Sequence, residues 1–346
     1  MGHDKPEYYL HVGPPKTGTT FLQSMLDTHR DALRSDGILY PRFQGNGRFM
    51  AALDARDQHT HRGTTHDAGG SWQRFVDRTR DFNGKVAFSH ELLSAPRDGK
   101  PPTALRALEA YETHLVLTAR DPGRQLPSCW QQGLRHATTT TFRDYLASIR
   151  PDGTSTVGRR FEGQQLDRLL DVWGAHLPAD HIHIVVVPPR GSDPSAFWSR
   201  FCALLDVDAD HYPVPDSVRP NPSLSVAQIE QLRRVSVVAQ QRLSRSESRR
   251  LIRQVYVRQI LPYTSAGQKP MLPRYAAETA HGIAETWIDA ISKHGVNVVG
   301  NVEDLRPTHF CDDDPDAWNP NEVIDIGAEA IVDLLVRTDK AKSSTQ

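Results

Sequence analysis

Apolar positions fall into two alternating patterns along the first two thirds of the chain. Leu10 and Val12, after Tyr8 and Tyr9, read as a short buried strand, and Phe21, Leu22, Met25 and Leu26 then recur at helical spacing. Ser35-Asp36-Gly37 is a turn before a short strand, Ile38-Leu39-Tyr40, that Pro41 ends. Trp72, Phe75, Val76 and Thr79 predict a helix closed by Asn83-Gly84, followed by a strand at Val86-Ala87-Phe88. A helix over 103–111, a strand over 114–118 and a helix to about Arg135 come next, and an amphipathic helix over 142–149 leads into a Gly/Ser/Arg linker at 150–164. A helix at 165–177, the apolar strand 182–187 and a helix at 195–205 complete the series. Short apolar strands alternating with helices predict an α/β fold, a parallel sheet with helices on both faces.

The pattern changes after that. Four prolines between Pro213 and Pro222 make an extended connector, and Ile229, Leu232, Val235 and Val238 then mark a helix. A second helical stretch carries Leu251, Ile252, Val255 and Ile260 beside Arg242, Arg245, Arg249, Arg250, Arg253 and Arg258, which read as a solvated face. Residues 295–300 suggest a late strand and 321–336 a last helix. The organisation expected is a three-layer core over 1–212 and a mainly helical C-terminal part over 213–346. Residues 42–70, polar and rich in Gly, Thr and His, form a connection too long to be an ordinary turn, and read as a lid, a substrate loop or a disordered segment.

Composition narrows the classes. With 346 residues, 38% hydrophobic, 24% charged and a net charge of −1, the chain is long enough for a sizeable core and lacks the basic excess of a nucleic-acid partner. No apolar run approaches the ~20 residues of a membrane span, and the N-terminal residues hold no apolar signal core, so a cytoplasmic location is expected. Cys129, Cys202 and Cys311 form no C-x-x-C pair, and the 16 histidines are scattered, with His59, His61 and His66 together in a Gly/Thr-rich stretch. Neither pattern indicates a metal site.

The chemistry concentrates in Gly13-Pro14-Pro15-Lys16-Thr17-Gly18-Thr19-Thr20, between the first strand and the first helix. A loop of this kind aims backbone N–H groups and a helix N-terminus, with about half a positive charge, at one spot that suits phosphate or sulfate. Lys16 and the hydroxyls of Thr17, Thr19 and Thr20 would complete the cradle. Triphosphate loops place lysine directly after the second glycine, with a Ser/Thr for Mg²⁺. Here Thr19 holds that position and Lys16 precedes Gly18, so the triphosphate reading loses its main contact. The string P-K-T-G-T-T after a strand resembles instead the 5'-phosphosulfate loop of sulfotransferases that use 3'-phosphoadenosine 5'-phosphosulfate.

A second motif extends that resemblance. Sulfotransferases carry a strand ending in R-[DN]-P with a serine eight residues past the arginine, and this chain has Arg120-Asp121-Pro122 and Ser128. An arginine fork at a strand end suits a phosphate, and a serine further along the helix adds a donor. The resemblance therefore implies a P-loop-type sheet, with donor contacts from Pro15, Lys16, Thr17, Gly18, Thr19 and Thr20 to the 5' end and from Arg120 and Ser128 to the 3'-phosphate. Phe21 stands where an aromatic stacks on adenine in that family, and equally where the first helix would bury an apolar residue. Arg219 is the candidate for a late cation closing over the 3'-phosphate.

The resemblance implies in-line sulfuryl transfer to a hydroxyl or amine of a small molecule or carbohydrate, with Lys16 meeting charge on the leaving oxygen and no metal required. Ser89-His90-Glu91 after a strand offers two bases, of which Glu91 is preferred because a carboxylate needs no particular tautomer. A P-loop kinase or hydrolase, and a sulfotransferase-like binding module without catalysis, are the alternatives that the sequence leaves open.

Overall fold

Strands whose side chains are buried on both faces need cover above and below, and the chain supplies it with helices. In the computed structural model, residues 5–61, 64–94, 103–157, 161–216, 218, 223–314 and 316–343 are described. Strand β1 (Glu7–His11) runs into the Gly13–Thr20 turn, α1 (Thr19–Thr28) and α2 (Arg30–Ser35), then β2 (Ile38–Leu39), α3 (Gly47–Ala55), β3 (Thr60–His61), β4 (Thr64–Thr65), α4 (Ser71–Asp77) and β5 (Lys85–Ser89). After α5 (Thr103–Ala107) come β6 (Glu112–Ala119), α6 (Pro122–Leu134), α7 (Phe142–Ala147), α8 (Leu166–Gly174), β7 (Ile182–Val186) and α9 (Ala196–Leu205). The remainder holds α10 (Val226–Arg242), α11 (Arg245–Leu251), a π-helical stretch over Ile252–Ile260, α12 (Ala277–His294), β8 (Asn297–Val299) and α13 (Pro320–Ser343).

Six strands form one sheet in the order β2-β5-β1-β6-β7-β8, and every pairing in it is parallel. Tyr9, Ala87, Val116 and Val185 share a core with Leu22, Met25 and Leu26 of α1 and Trp198, Phe201, Cys202 and Leu205 of α9. On the opposite face Trp72 of α4 packs edge-on to Phe88 with ring centroids 4.9 Å apart, and Phe75 lies 5.0 Å from the same ring. The short strand β8 pairs with β7, so the extended segment expected at 295–300 completes the sheet.

Two compact units make up the chain. The first comprises Met1–Pro122, Asp152–Pro220 and His281–Pro307; the second comprises Gly123–Pro151, Asn221–Ala280 and Thr308–Gln346. The first holds the sheet. The second is helical, and α10 opens with a reciprocal cap in which the Gln228 N–H donates to Ser225 Oγ (3.2 Å) and the Ser225 N–H donates to Gln228 Oε1 (2.9 Å). Of the six arginines expected on a solvated face, Arg242, Arg245, Arg249, Arg250 and Arg258 are exposed, whereas Arg253 is half-buried.

One sequence expectation needs correction. Residues 42–70 are not a featureless loop, because α3 buries Ala51, Ala52, Leu53 and Ala55, and β3 and β4 pair as a small antiparallel hairpin. The apolar residues of α3 lie close together in a stretch whose flanking Gly, Thr and His masked their helical period. His61 and His66 set their rings edge-on to Phe49 at 5.5 and 5.1 Å. Among the described residues no helix is long and apolar enough to cross a membrane.

Candidate functional site

From β1 the chain builds β2 and β5 on one side and then crosses to β6 on the other. The carboxyl ends of β1 and β6 therefore flank the point where strand order reverses, where open parallel sheets leave a crevice for ligands. The Gly13–Thr20 turn leaves β1 there and Arg120 leaves β6 there. Arg120 Nη1 donates to the Lys16 carbonyl over 3.1 Å, so the two cations predicted from separate motifs share one end of the sheet.

The turn is held from beneath by a buried polar chain. His11 Nδ1 lies 2.8 Å from Ser89 Oγ and its Nε2 3.3 Å from Thr118 Oγ1, while Thr118 Oγ1 is 2.6 Å from Thr17 Oγ1, which donates to the Pro14 carbonyl at 2.6 Å. The last residues of β1 and β5 and the penultimate residue of β6 thus lie beneath the turn as polar side chains. Burial lowers the His11 pKa to about 3, so its ring is neutral throughout the physiological range. Gln23 of α1 adds a tie, donating to the Ser89 carbonyl (3.0 Å) and Ser89 Oγ (3.2 Å).

Two backbone positions show why these residue types are needed. A Cβ on Gly13 would stand 2.5 Å from His11 Nε2, 2.6 Å from Thr19 Oγ1 and 2.8 Å from Thr118 Oγ1, so only glycine fits above the polar chain. Lys16 itself adopts φ of 75°, a left-handed conformation that costs a residue with a side chain about 1–2 kcal/mol. Strain of that kind persists where the surrounding structure enforces it, commonly at ligand sites. Gly18, with φ of 93°, stands at the N-cap of α1 and, having no side chain, supplies no cap to its first turn. Thr19 Oγ1 is buried and has no hydrogen-bond partner among the described residues.

The other predicted residues are distributed as follows. Pro15, Lys16 and Gly18 are half-buried, Thr17 and Thr19 buried, and Thr20 exposed. Phe21 is half-buried and stacks on Phe197 of α9 with centroids 6.0 Å apart. His90 and Glu91 follow β5, whose last residue Ser89 is bonded to His11. Ser128 is a half-buried residue of α6 belonging to the second unit, and Arg219 lies outside the described residues.

His90 and Glu91 differ in what they can do. The Leu92 N–H donates to His90 Nδ1 at 3.1 Å, so that nitrogen is the acceptor and the neutral ring carries its proton on Nε2. Burial first, then the positive neighbours Arg48, His61 and Arg56, push the His90 pKa down to about 4. A ring whose lone pair is already engaged and whose affinity for protons is depressed is a weak base at neutral pH. Glu91 is exposed at the start of the 3-10 turn Glu91–Ser94.

The residues that sequence reading missed are His11, Ser89 and Thr118. Each is a polar residue at or one position before the end of an apolar strand, a signal present in the sequence as Leu10-His11, Phe88-Ser89 and Leu117-Thr118. A cavity of about 900 Å³ in the second unit contains none of the predicted residues, and its wall carries Asp313, Asp314, Glu322, Asp325 and Glu329 against Lys269. Such a wall repels a polyanion, so chemistry favours the β1–β6 crevice over cavity size.

No protein-family model, curated protein or solved structure matches this chain. Its function is therefore read from the residues and their geometry.

Proposed function

We propose that the chain is a sulfotransferase that moves a sulfuryl group from 3'-phosphoadenosine 5'-phosphosulfate to a hydroxyl or amine of a small molecule or carbohydrate. The observation that carries this reading is the Arg120 guanidinium bonded to the carbonyl of Lys16, which brings the two anion-binding motifs to one crevice. In the proposed reaction the first-turn N–H groups of α1, with Thr19 and Thr20, hold the 5' end of the donor while Thr17 braces the turn from beneath, and Arg120 takes the 3'-phosphate. The bond from sulfur to the bridging phosphate oxygen breaks as the acceptor atom bonds to sulfur. Lys16 meets the charge that develops on the departing oxygen, and Glu91 takes the acceptor proton. The engagement of His90 Nδ1 by the Leu92 N–H, and the exposure of Glu91, are what support Glu91 as the base.

The P-loop-type reading of the sheet belongs with this proposal. It is supported by the strand order, with the glycine-containing turn after the central strand β1, and by the lysine position within that turn.

The test is calorimetric titration with 3'-phosphoadenosine 5'-phosphate, alongside ATP with Mg²⁺, on the chain and on Lys16→Gly. Saturable binding of the bisphosphate in preference to ATP is expected. Removing the ammonium should weaken binding by about 10–100-fold, the worth of a charge-assisted contact. Because glycine adopts the left-handed backbone at no cost, the variant should keep its thermal midpoint. Preference for ATP with Mg²⁺, or Lys16→Gly binding as tightly as the parent chain, would overturn the reading.

A further inference from the structure

A second cluster of chemistry lies at the opposite end of the strands, where β6 and β7 begin. Glu112 and His114 are the first and third residues of β6, on one face of the strand, and His181 immediately precedes β7. Glu112 Oε1 stands 3.3 Å from His181 Nε2 and 3.7 Å from His114 Nε2, and the three potential ligand atoms all lie within 4.8 Å of one another. Four-coordinate zinc, with bonds of about 2.0–2.2 Å, separates its ligand atoms by about 3.3 Å. The two carboxylate edges are therefore close to the required length, and the imidazoles need approach each other by no more than about 1.5 Å to reach it.

The surroundings of His114 suit ligation. Its ring is stacked on Tyr9 at 4.8 Å, which fixes its plane, and the half-exposed His181 ring, stacked on it at 4.7 Å with 28° between the planes, must tilt for both Nε2 lone pairs to meet one ion. Its Nε2 is buried and has no hydrogen-bond partner among the described residues. Its other nitrogen, Nδ1, lies 2.9 Å from His183 Nε2, and His183 Nδ1 lies 2.9 Å from the Asn297 side-chain amide of β8. A metal-bound imidazole characteristically hands its second N–H to such a partner, which sets the tautomer. With Nε2 on an ion, Nδ1–H would donate to His183 and His183 Nδ1–H to Asn297, whose amide turns to present oxygen. Glu7 is paired across β1 with Glu112 and supplies further negative charge beside the cluster.

We propose that Glu112, His114 and His181 bind a divalent transition ion of the zinc class, clipping together the amino ends of β6 and β7 and leaving a fourth position for water. This site is separate from the β1–β6 crevice: His114 and Ala119 stand at opposite ends of β6, about 17 Å apart at the rise of a strand. The proposal does not rest on the transfer reaction and stands or falls without it.

The test is calorimetric titration of the full, metal-stripped chain with Zn²⁺, and absorption spectroscopy with Co²⁺ as a coloured substitute. One equivalent of Zn²⁺ should bind and raise the thermal midpoint, and Co²⁺ should give the visible bands of a four-coordinate site. His181→Ala and Glu112→Gln, at partly exposed positions, should each weaken Zn²⁺ binding by at least about tenfold while circular dichroism and bisphosphate binding stay as in the parent. A His59→Ala/His66→Ala double variant should bind Zn²⁺ as the parent does. Absence of saturable binding, binding unchanged in both ligand variants, or binding abolished by the His59/His66 double variant would each overturn the proposal.

Discussion

At the scale of single residues, the candidate site separates groups that hold the turn from groups that face a ligand. His11, Ser89, Thr118 and Thr17 spend their hydrogen bonds on one another, so they fix the turn rather than meet substrate. Lys16, strained at φ of 75°, carries the one ammonium of the turn. The choice of base is a residue-scale matter as well. If the proposed transfer reaction is this chain's, Glu91→Gln should leave bisphosphate affinity within about twofold and reduce sulfuryl transfer by about 10²–10⁴-fold, the usual contribution of a general base. His90→Gln should retain most of its transfer rate, because Nδ1 is occupied by the Leu92 N–H. Steady-state assay of both variants on any accepted acceptor decides it, and the reverse ranking would assign the base to His90.

At the scale of elements, sequence periodicity located the strands of the six-stranded sheet and most helices, because those strands are largely apolar and most core helices show one apolar stripe, whereas the polar β3–β4 hairpin gave no such signal. Ile182–Val186, buried at all five positions, is the clearest instance. Helix α3 escaped notice because its buried face is made largely of alanine, whose small side chain gives a weak hydrophobic signal. Helix α10 begins where Ser225 and Gln228 cap one another, and Gln228 Nε2 also donates to Thr264 Oγ1 (3.0 Å). Ser225→Ala should therefore lower the stability of the second unit by about 1 kcal/mol, whereas Gln228→Leu should cost about 1–3 kcal/mol by stranding buried partners. Chemical denaturation followed by hydrogen exchange in α10 would measure both, and equal effects would show that only the cap matters.

At the scale of the whole molecule, the buried histidines link folding to pH. His11 is held neutral with its pKa lowered to about 3 by burial, and His90 to about 4 by burial with Arg48, His61 and Arg56 nearby. In the unfolded chain both protonate near 6.5, so below that pH the unfolded state binds more protons. Their neutral burial carries no penalty above pH 6.5, and stability falls as the pH drops from there toward 4 and then 3, by about 1.4 kcal/mol per pH unit for each histidine. Thermal midpoints should accordingly decline below pH 6.5, and His11→Gln, which cannot titrate, should show a shallower decline. An identical slope in the variant would mean that His11 gains a proton acceptor on acidification.

The sequence by itself determined the alternation of strands and helices, the strand-turn-helix at Gly13–Thr20 and the strand-end arginine, because periodicity and backbone-specific residues are local properties. Only the tertiary structure decided that the turn and Arg120 meet, since 104 positions separate the bonded partners and strand order alone brings β6 beside β1. It also decided that His11, Ser89 and Thr118 support the turn and that Glu112, His114 and His181 come together at the amino ends of β6 and β7. A residue's chemical type is written in the chain, but its neighbours across a sheet are set by which strands pair and in what register, and no local pattern encodes that.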